Sequence, residues 1–467
     1  MPSIPQNIDP NKIFLVNFSE LEGRWDPTFA IYNKNINHYA FPIVRLQDLI
    51  AQKPQYGTAE SGIPRISELA PRYIRITDID ELGNLEDGLG ATAENVEMQY
   101  ILNENDILFA RSGATVGKAY LHKNQPYVCF FAGYMIRFVV DNTKILPQYL
   151  FIYTQLKPYK DWVRAIQRAA AQPNINAEEY KSLPISLPPL HIQQQIVNVY
   201  NAALSQRKKK LSESKAKLAS IDQYLLGELG ITLPEDSHEK TFIVNYKDVD
   251  GGRLDPNFYR LEYSSLVSNL RESDFCKVKD VVVFSDEMWN QESLFSDYFP
   301  YLEISGINLE YGQIEAIILT RKKDAPSRAR MILREGDLIV SLTRPMRGAI
   351  ALFDIADHNV AIGSTGFSVI RDVDSKRISK DYLCIVLKSS IVLKQFAQRC
   401  SGGNYPAITQ YDLGCVSIPL PSLDKQQEIA DHISAIRAEA KALEQDANTI
   451  LEQVKKEVEK MILGYFS

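Results

Sequence analysis

Cysteine is scarce in this chain, with five in 467 residues. Cys129, Cys276, Cys384, Cys400 and Cys415 include no Cys-x-x-Cys pair and no matching histidine cluster. Neither a zinc site nor a disulfide framework is expected, and a reducing cytoplasm is the natural setting. Long apolar runs are missing as well. No stretch approaches the length of a membrane span, and the opening MPSIPQNIDPNK lacks the basic-then-apolar layout of a signal peptide. No membrane partner is expected. Positive charge is not in excess either, because the formal net charge is −6. Nucleic-acid binders are usually basic overall, so DNA contact here must rest on local patches or on partner chains. What remains is a 45% hydrophobic, 24% charged composition, that of a globular protein with proper cores. The length calls for two or more folded units.

The stretch DILFARSGATVGKAYL, Asp106 to Leu121, nearly spells a phosphate-binding loop. The true motif needs four residues between its glycines, then Lys, then a Ser or Thr for Mg²⁺. Here three residues separate Gly113 from Gly117, and Ala119 follows Lys118. The stretch returns as DLIVSLTRPMRGAIAL from Asp337, which keeps the aspartate and Gly348 but loses the lysine. A buried strand, a glycine turn and a second strand, as in a hairpin, fit both copies.

Other landmarks repeat at nearly the same offset. GRWDPTF from Gly23 recurs as GRLDPNF from Gly252 (252 − 23 = 229), and YIRITDI from Tyr73 as YLEISGI from Tyr301 (301 − 73 = 228). LPPLHIQQQI from Leu187 matches LPSLDKQQEI from Leu420 (420 − 187 = 233). The chain is written twice. Each half runs through short β-type segments with interleaved helices (PQYLFIYTQL, SKDYLCIVLKS), a proline-marked exit and one long helix.

In the first long helix Leu190, Val197, Leu204, Leu211, Leu218 and Leu225 recur every seven residues. The second carries Ile433, Ala440, Ala447, Val454 and Met461, alternating with Ile429, Ile436, Leu443 and Ile450. These are coiled-coil columns. About 35 to 40 residues at 1.5 Å rise give roughly 55 Å, long for a helix packed on one core. Pairing with each other covers both stripes. A pseudo-twofold relation between homologous halves makes the pair antiparallel, a rod with one globular domain at each end. The run QRKKKLSESKAK, Gln206 to Lys217, reads as the solvated face of that pair in preference to an electrostatic surface for a partner or DNA.

This order of β-rich domain, LPPLxxQxxI helix, second β-rich domain and LPxLxxQxEI helix resembles the specificity subunit of type I restriction-modification systems, across essentially the whole chain. The resemblance implies an α+β fold with two target recognition domains, residues 1–186 and 231–420, and spacer helices in 187–230 and 421–467. It implies a bipartite double-stranded DNA target, with one half-site per domain. It implies two methyltransferase subunits docked on the helices, and restriction (translocase/endonuclease) subunits joining them. The chain itself catalyses nothing on this reading. It binds no cofactor, and S-adenosylmethionine, ATP and Mg²⁺ belong to the partners.

The residues agree. There is no glycine-rich cofactor loop and no Asn/Asp-Pro-Pro-aromatic motif of an amino-methyltransferase. The nearest string, GGNYPA around Asn404, aligns with AAQPNI of the first half, Pro406 with Pro173, and so belongs to the repeated domain exit. Candidate DNA contacts are the cations and hydroxyls that differ between the halves. In the first half they are Arg72, Arg75, Arg111, Ser112, Thr115, Lys118, Arg164 and Arg168; in the second, Arg321, Lys322, Arg328, Arg330, Thr343, Arg344 and Arg347. Two rival classes remain: a non-catalytic coiled-coil scaffold with two protein-binding heads, favoured by the acidic balance, and a nuclease or fused methyltransferase active on its own.

Overall fold

The computed structural model describes residues 29–30, 32, 40–167, 173–235, 241–246, 249, 255–270, 274–354 and 359–463. Most of the first landmark, residues 23–28, the start of its second copy, 252–254, and Arg168 lie outside the described residues. The chain forms two compact units, residues 1–209 with 446–467 and residues 210–445.

In the first unit the strands are β1 (Ile43–Arg45), β2 (Gln55–Tyr56), β3 (Ile63–Pro64), β4 (Arg72–Ile74), β5 (Ala91–Thr92), β6 (Ile107–Ala110), β7 (Ala119–Leu121), β8 (Cys129–Phe131) and β9 (Met135–Phe138). Helices α1 (Pro147–Thr154), α2 (Lys157–Ile166) and α3 (Ala177–Lys181) follow, then β10 (Pro184–Ser186) and the long α4 (Leu190–Leu229). The second unit repeats the plan. It opens with α5 (Leu261–Leu270) and β11 (Phe275–Lys277), β12 (Val282–Ser285), β13 (Tyr298–Leu302), β14 (Ile307–Asn308), β15 (Gln313–Ile314) and β16 (Ile318–Arg321). Next come β17 (Ala329–Arg334), β18 (Leu338–Ser341), β19 (Ile350–Leu352), β20 (Val360–Ser364) and β21 (Phe367–Val373). It ends with α6 (Lys380–Leu387), α7 (Ser390–Arg399), α8 (Gln410–Gly414), β22 (Ser417–Pro419) and the long α9 (Leu423–Leu463).

The sheets correspond. The order β2-β9-β6-β7 returns as β12-β21-β18-β19, and the pair β1-β10 as β11-β22. The parallel pairing of β4 with β8, Tyr73 opposite Phe130, returns between β13 and β20, Tyr301 opposite Ile362. Strand β6 is buried at every position and pairs with β7 as the expected hairpin. Its turn needs glycine: Gly117 has φ +88°, and a Cβ there would lie 2.7 Å from the Val163 side chain. The lysine after it holds no phosphate loop, because its ammonium donates to the Ile79 carbonyl at 2.8 Å. The aspartates that open the two copies are buried supports. Asp106 accepts the Asn103 N–H and faces Arg137, while Asp337 accepts the Arg334 N–H and lies 2.7 Å from Arg371.

Both long helices contribute to both units, and within each unit they run antiparallel. In the first, Ile196, Val197 and Tyr200 share a core with Val454, Val458 and Ile462. In the second, Leu225 packs with Ile429 and Ile433, Lys217 pairs with Glu439 at 2.6 Å, and Glu228 pairs with Lys425. The expected columns are occupied unevenly. Ile429, Ile433, Ala440, Ala447 and Val454 are buried, while Ile436, Leu443, Ile450 and Met461 are half-buried. On α4 Val197 and Leu225 are buried, and Leu204, Leu211 and Leu218 half-buried. Leu190, in the first turn, is 39% exposed, and it is the exception to its column. A second α4 column, Gln193, Tyr200, Arg207, Ser214 and Ile221, is buried or half-buried beside the first. Ser214 there donates to the Glu444 carboxylate at 3.0 Å.

No described helix is long and apolar enough to cross a membrane.

Candidate nucleic-acid interface

The rim of each unit is built on one backbone junction. Where β6 ends, the Arg111 N–H donates to the Tyr134 carbonyl at 3.0 Å, and the Arg111 carbonyl accepts from the Ile175 N–H at 2.8 Å. Where β18 ends, the Leu342 N–H donates to Gly366 at 2.7 Å, and its carbonyl accepts from Ile408 at 3.0 Å. One step on, Ser112 bridges to Asn174 and Thr343 to Ala407. Then the Gly113 N–H meets the Pro173 carbonyl, as the Arg344 N–H meets that of Pro406. The frame is shared and its side chains are not: Arg111 stands opposite Leu342, Tyr134 opposite Gly366, Gly113 opposite Arg344, and Arg75 opposite Glu303. Fixed hydrogen bonds hold the loops, and the exchanged side chains go different ways: Leu342 packs against the core of its unit, whereas Tyr134 is 38% exposed.

In the first unit the Arg111 guanidinium lies 4.9 Å from the Tyr56 ring centroid. Its Nε is buried without a hydrogen-bond partner among the described residues. The Tyr56 hydroxyl accepts the Ala177 N–H, which anchors the ring. Arg75 grips Asp78 with two donors at 3.1 and 2.7 Å, a bond that raises the already high Arg75 pKa. The neighbouring Tyr134 phenol is pushed up by burial and drawn back by Arg75. Thr115, Lys118 and Arg164 come together with Lys160 along a groove of about 450 Å³. Lys118 is held there by the Ile79 carbonyl and Glu81, whereas Arg164 reaches solvent beside Asp161. Arg72 is placed elsewhere. It is 5% exposed, and its fork is spent on the Tyr127 hydroxyl and the Glu86 carbonyl.

In the second unit Arg344 adopts a left-handed backbone, φ 49° and ψ 49°, the region its counterpart Gly113 occupies without strain. Its guanidinium lies 4.7 Å from the Tyr405 centroid, and Nη2 donates to the Asn404 carbonyl at 3.2 Å. Tyr405 is 71% exposed. Thr343 is half-buried in the same loop, and Arg347 is exposed at its end. Arg328 extends into solvent 3.9 Å from Glu303. Arg321 sits on β16 against Tyr298, to whose hydroxyl its Nε donates at 2.8 Å. Lys322 turns back onto the Glu292 and Phe295 carbonyls, and Arg330 onto that of Ser327.

Tyr56, Tyr134 and Tyr405 are the rim residues that sequence reasoning passed over. Tyr405 had a signal, an aromatic between Asn and Pro in the GGNYPA string. Such amphipathic rings give a guanidinium a flat apolar bed. Among the described residues no group of three His, Cys, Asp or Glu is placed to hold a metal ion.

A family model described as the type I restriction modification DNA specificity domain matches residues 87–239 and 271–455. The type I restriction enzyme MjaVIII specificity subunit of Methanocaldococcus jannaschii is 22% identical over 389 residues, 81% of this chain and 83% of that protein. The same organism's putative MjaX specificity subunit is 24% identical over 413 residues, 86% of each. A solved chain from work on complex assembly and conformational transition of the type I R-M system superposes with a TM-score of 0.53. It is 15% identical, with 92% of this chain and all of that one covered.

Proposed function

The chain belongs to the type I restriction modification DNA specificity family, and from that premise we propose a division of labour in which it reads DNA and its partners do the chemistry. It is the specificity subunit of a type I restriction-modification system. Residues 1–186 and 231–420 are the two target recognition domains, and each reads one half of a split double-stranded target. The helical segments 187–230 and 421–467 serve as spacer and as docking surface for two methyltransferase subunits, through which restriction subunits join. S-adenosylmethionine, ATP and Mg²⁺ are held by those partners, in the cytoplasm, and this chain transfers no group itself.

One observation carries the reading: the same hydrogen-bonded junction presents Arg111, Tyr134 and Gly113 in one unit and Leu342, Gly366 and Arg344 in the other. Base identity is read by side chains at groove edges, while the backbone frame fixes their register. A repeated frame with exchanged side chains is therefore what two readers of two different half-sites require.

The test is a map of methylated adenines in cells with and without this chain, which should contain a bipartite motif only when the chain is present. The purified chain given S-adenosylmethionine alone should methylate nothing. Native mass spectrometry should find two methyltransferase copies per chain, and a stable one-to-one complex would count against the paired docking surfaces.

A further inference from the structure

Charge alone does not separate a base-reading arginine from one that holds a phosphate or the fold. Geometry does. Reading guanine through O6 and N7 requires two parallel N–H groups presented in a fixed plane. An arginine free in solvent must first lose its side-chain freedom, whereas one already laid on a ring has lost it before DNA arrives.

Arg111 and Arg344 meet this condition. Each guanidinium lies within 5 Å of a tyrosine centroid, at 4.9 Å from Tyr56 and 4.7 Å from Tyr405. Each ring or its loop is itself tied down, Tyr56 through the Ala177 N–H and the Tyr405 loop through the Arg344 N–H on the Pro406 carbonyl. The Arg111 Nε is buried without a partner among the described residues, and neither terminal nitrogen is, which leaves those two as the pair for a ligand. Nη2 of Arg344 uses one hydrogen on Asn404 and keeps the second beside Nη1. Arg344 also holds a left-handed backbone that disfavours side chains, at the position where the first unit has Gly113. Such strain persists where function holds it in place.

The two arginines do not occupy equivalent positions. Arg111 corresponds to Leu342 and Arg344 to Gly113, so the forks stand two residues apart along the shared loop. We propose that Arg111 and Arg344 each read a guanine in the half-site of their own unit, at different places within the two half-sites. This rests on the two-reader function proposed above.

The assembled methyltransferase complex carrying Arg344→Gly, Arg344→Lys or Arg111→Leu tests it by methylome sequencing. Gly113 and Leu342 show that the first and third replacements fit the shared backbone. Arg344→Gly should relax one guanine position of one half-site, with discrimination against the other bases falling about 5- to 150-fold, and leave the other half-site unchanged. Arg344→Lys keeps the charge without the fork and should relax the same position. Arg111→Leu should relax one guanine of the other half-site. In parallel, 7-deazaguanine placed at each target guanine in turn should weaken binding by the unsubstituted complex at one guanine per half-site. It should weaken binding no further where the matching arginine is already replaced. Uniformly weaker methylation with an unaltered motif would make these arginines phosphate contacts and overturn the proposal, as would indifference to 7-deazaguanine at every position. A motif from the unsubstituted complex that is not bipartite would overturn the two-reader function instead.

Discussion

Gln193 and Gln426, 426 − 193 = 233 positions apart, are both fully buried and make the same three hydrogen bonds. The Gln193 amide oxygen accepts the Leu146 N–H at 2.8 Å, and its Nε2 donates to the Lys144 and Pro188 carbonyls. The Gln426 oxygen accepts the Ser379 N–H at 3.0 Å, and its Nε2 donates to the Arg377 and Pro421 carbonyls. Each glutamine thus locks the first turn of a long helix to the entry of α1 or α6.

Replacing either with leucine keeps the volume but leaves three backbone groups without partners. At about 1–3 kcal/mol per buried unsatisfied group, each change should cost about 3 kcal/mol or more. Hydrogen exchange under mild urea should show the loss in the unit that carries the change. Protection unchanged in both units would mean that the glutamines are passengers.

The seam gives a second prediction. Ala440 and Ala447 are fully buried on α9. Leucine at either position adds volume with nowhere to go, and overpacking of this kind costs about 1–3 kcal/mol. Thermal unfolding should shift down in both variants. A rise in either would show that the helices stand further apart there than the burial implies.

His122 supplies a pH dependence. It is buried, with Nδ1 3.0 Å from the Tyr120 hydroxyl, and burial lowers its pKa from 6.5 to about 4. The folded state therefore prefers the neutral ring. Its contribution is complete above pH 6.5 and is lost as pH falls toward about 4, on the order of 3 kcal/mol in all. Urea midpoints of the first unit, compared between the natural chain and His122→Gln, should diverge in slope between pH 6.5 and 4. Parallel curves across that window would remove His122 as the cause.

Lys118 and Lys322 look like DNA contacts by residue type, yet their ammonium groups are bound to backbone carbonyls. Methionine at either position should lower stability by about 1–2 kcal/mol and leave the methylated motif as it was. A changed motif in Lys118→Met or Lys322→Met would return that lysine to the reading surface.

Those lysines mark the boundary of what the sequence could reveal. The repeat, the β6–β7 hairpin, the antiparallel helices and the leucine column from Val197 to Leu225 were legible because they are periodic or doubled, whereas Leu190 fits the period and is 39% exposed. The second α4 column was not. Gln193, Arg207 and Ser214 are polar, so an apolar period passes over them although they lie in the seam. At the rim, Arg111 and Arg344 could be named by type, but Tyr56 and Tyr405 lie far from them in sequence and only folding brings each beneath its arginine. Arg72 shows the converse: a strand arginine carries no mark of whether its fork will turn to solvent or into the core.

The central claim is that two independent readers share one chain, and exchange of one reader tests it most directly. Residues 1–186 are replaced by the matching segment of a relative with a different target, and the methylated motif is sequenced. One half-site should change to that of the donor while the other keeps every base. A motif altered in both halves, or in neither, would contradict the claim.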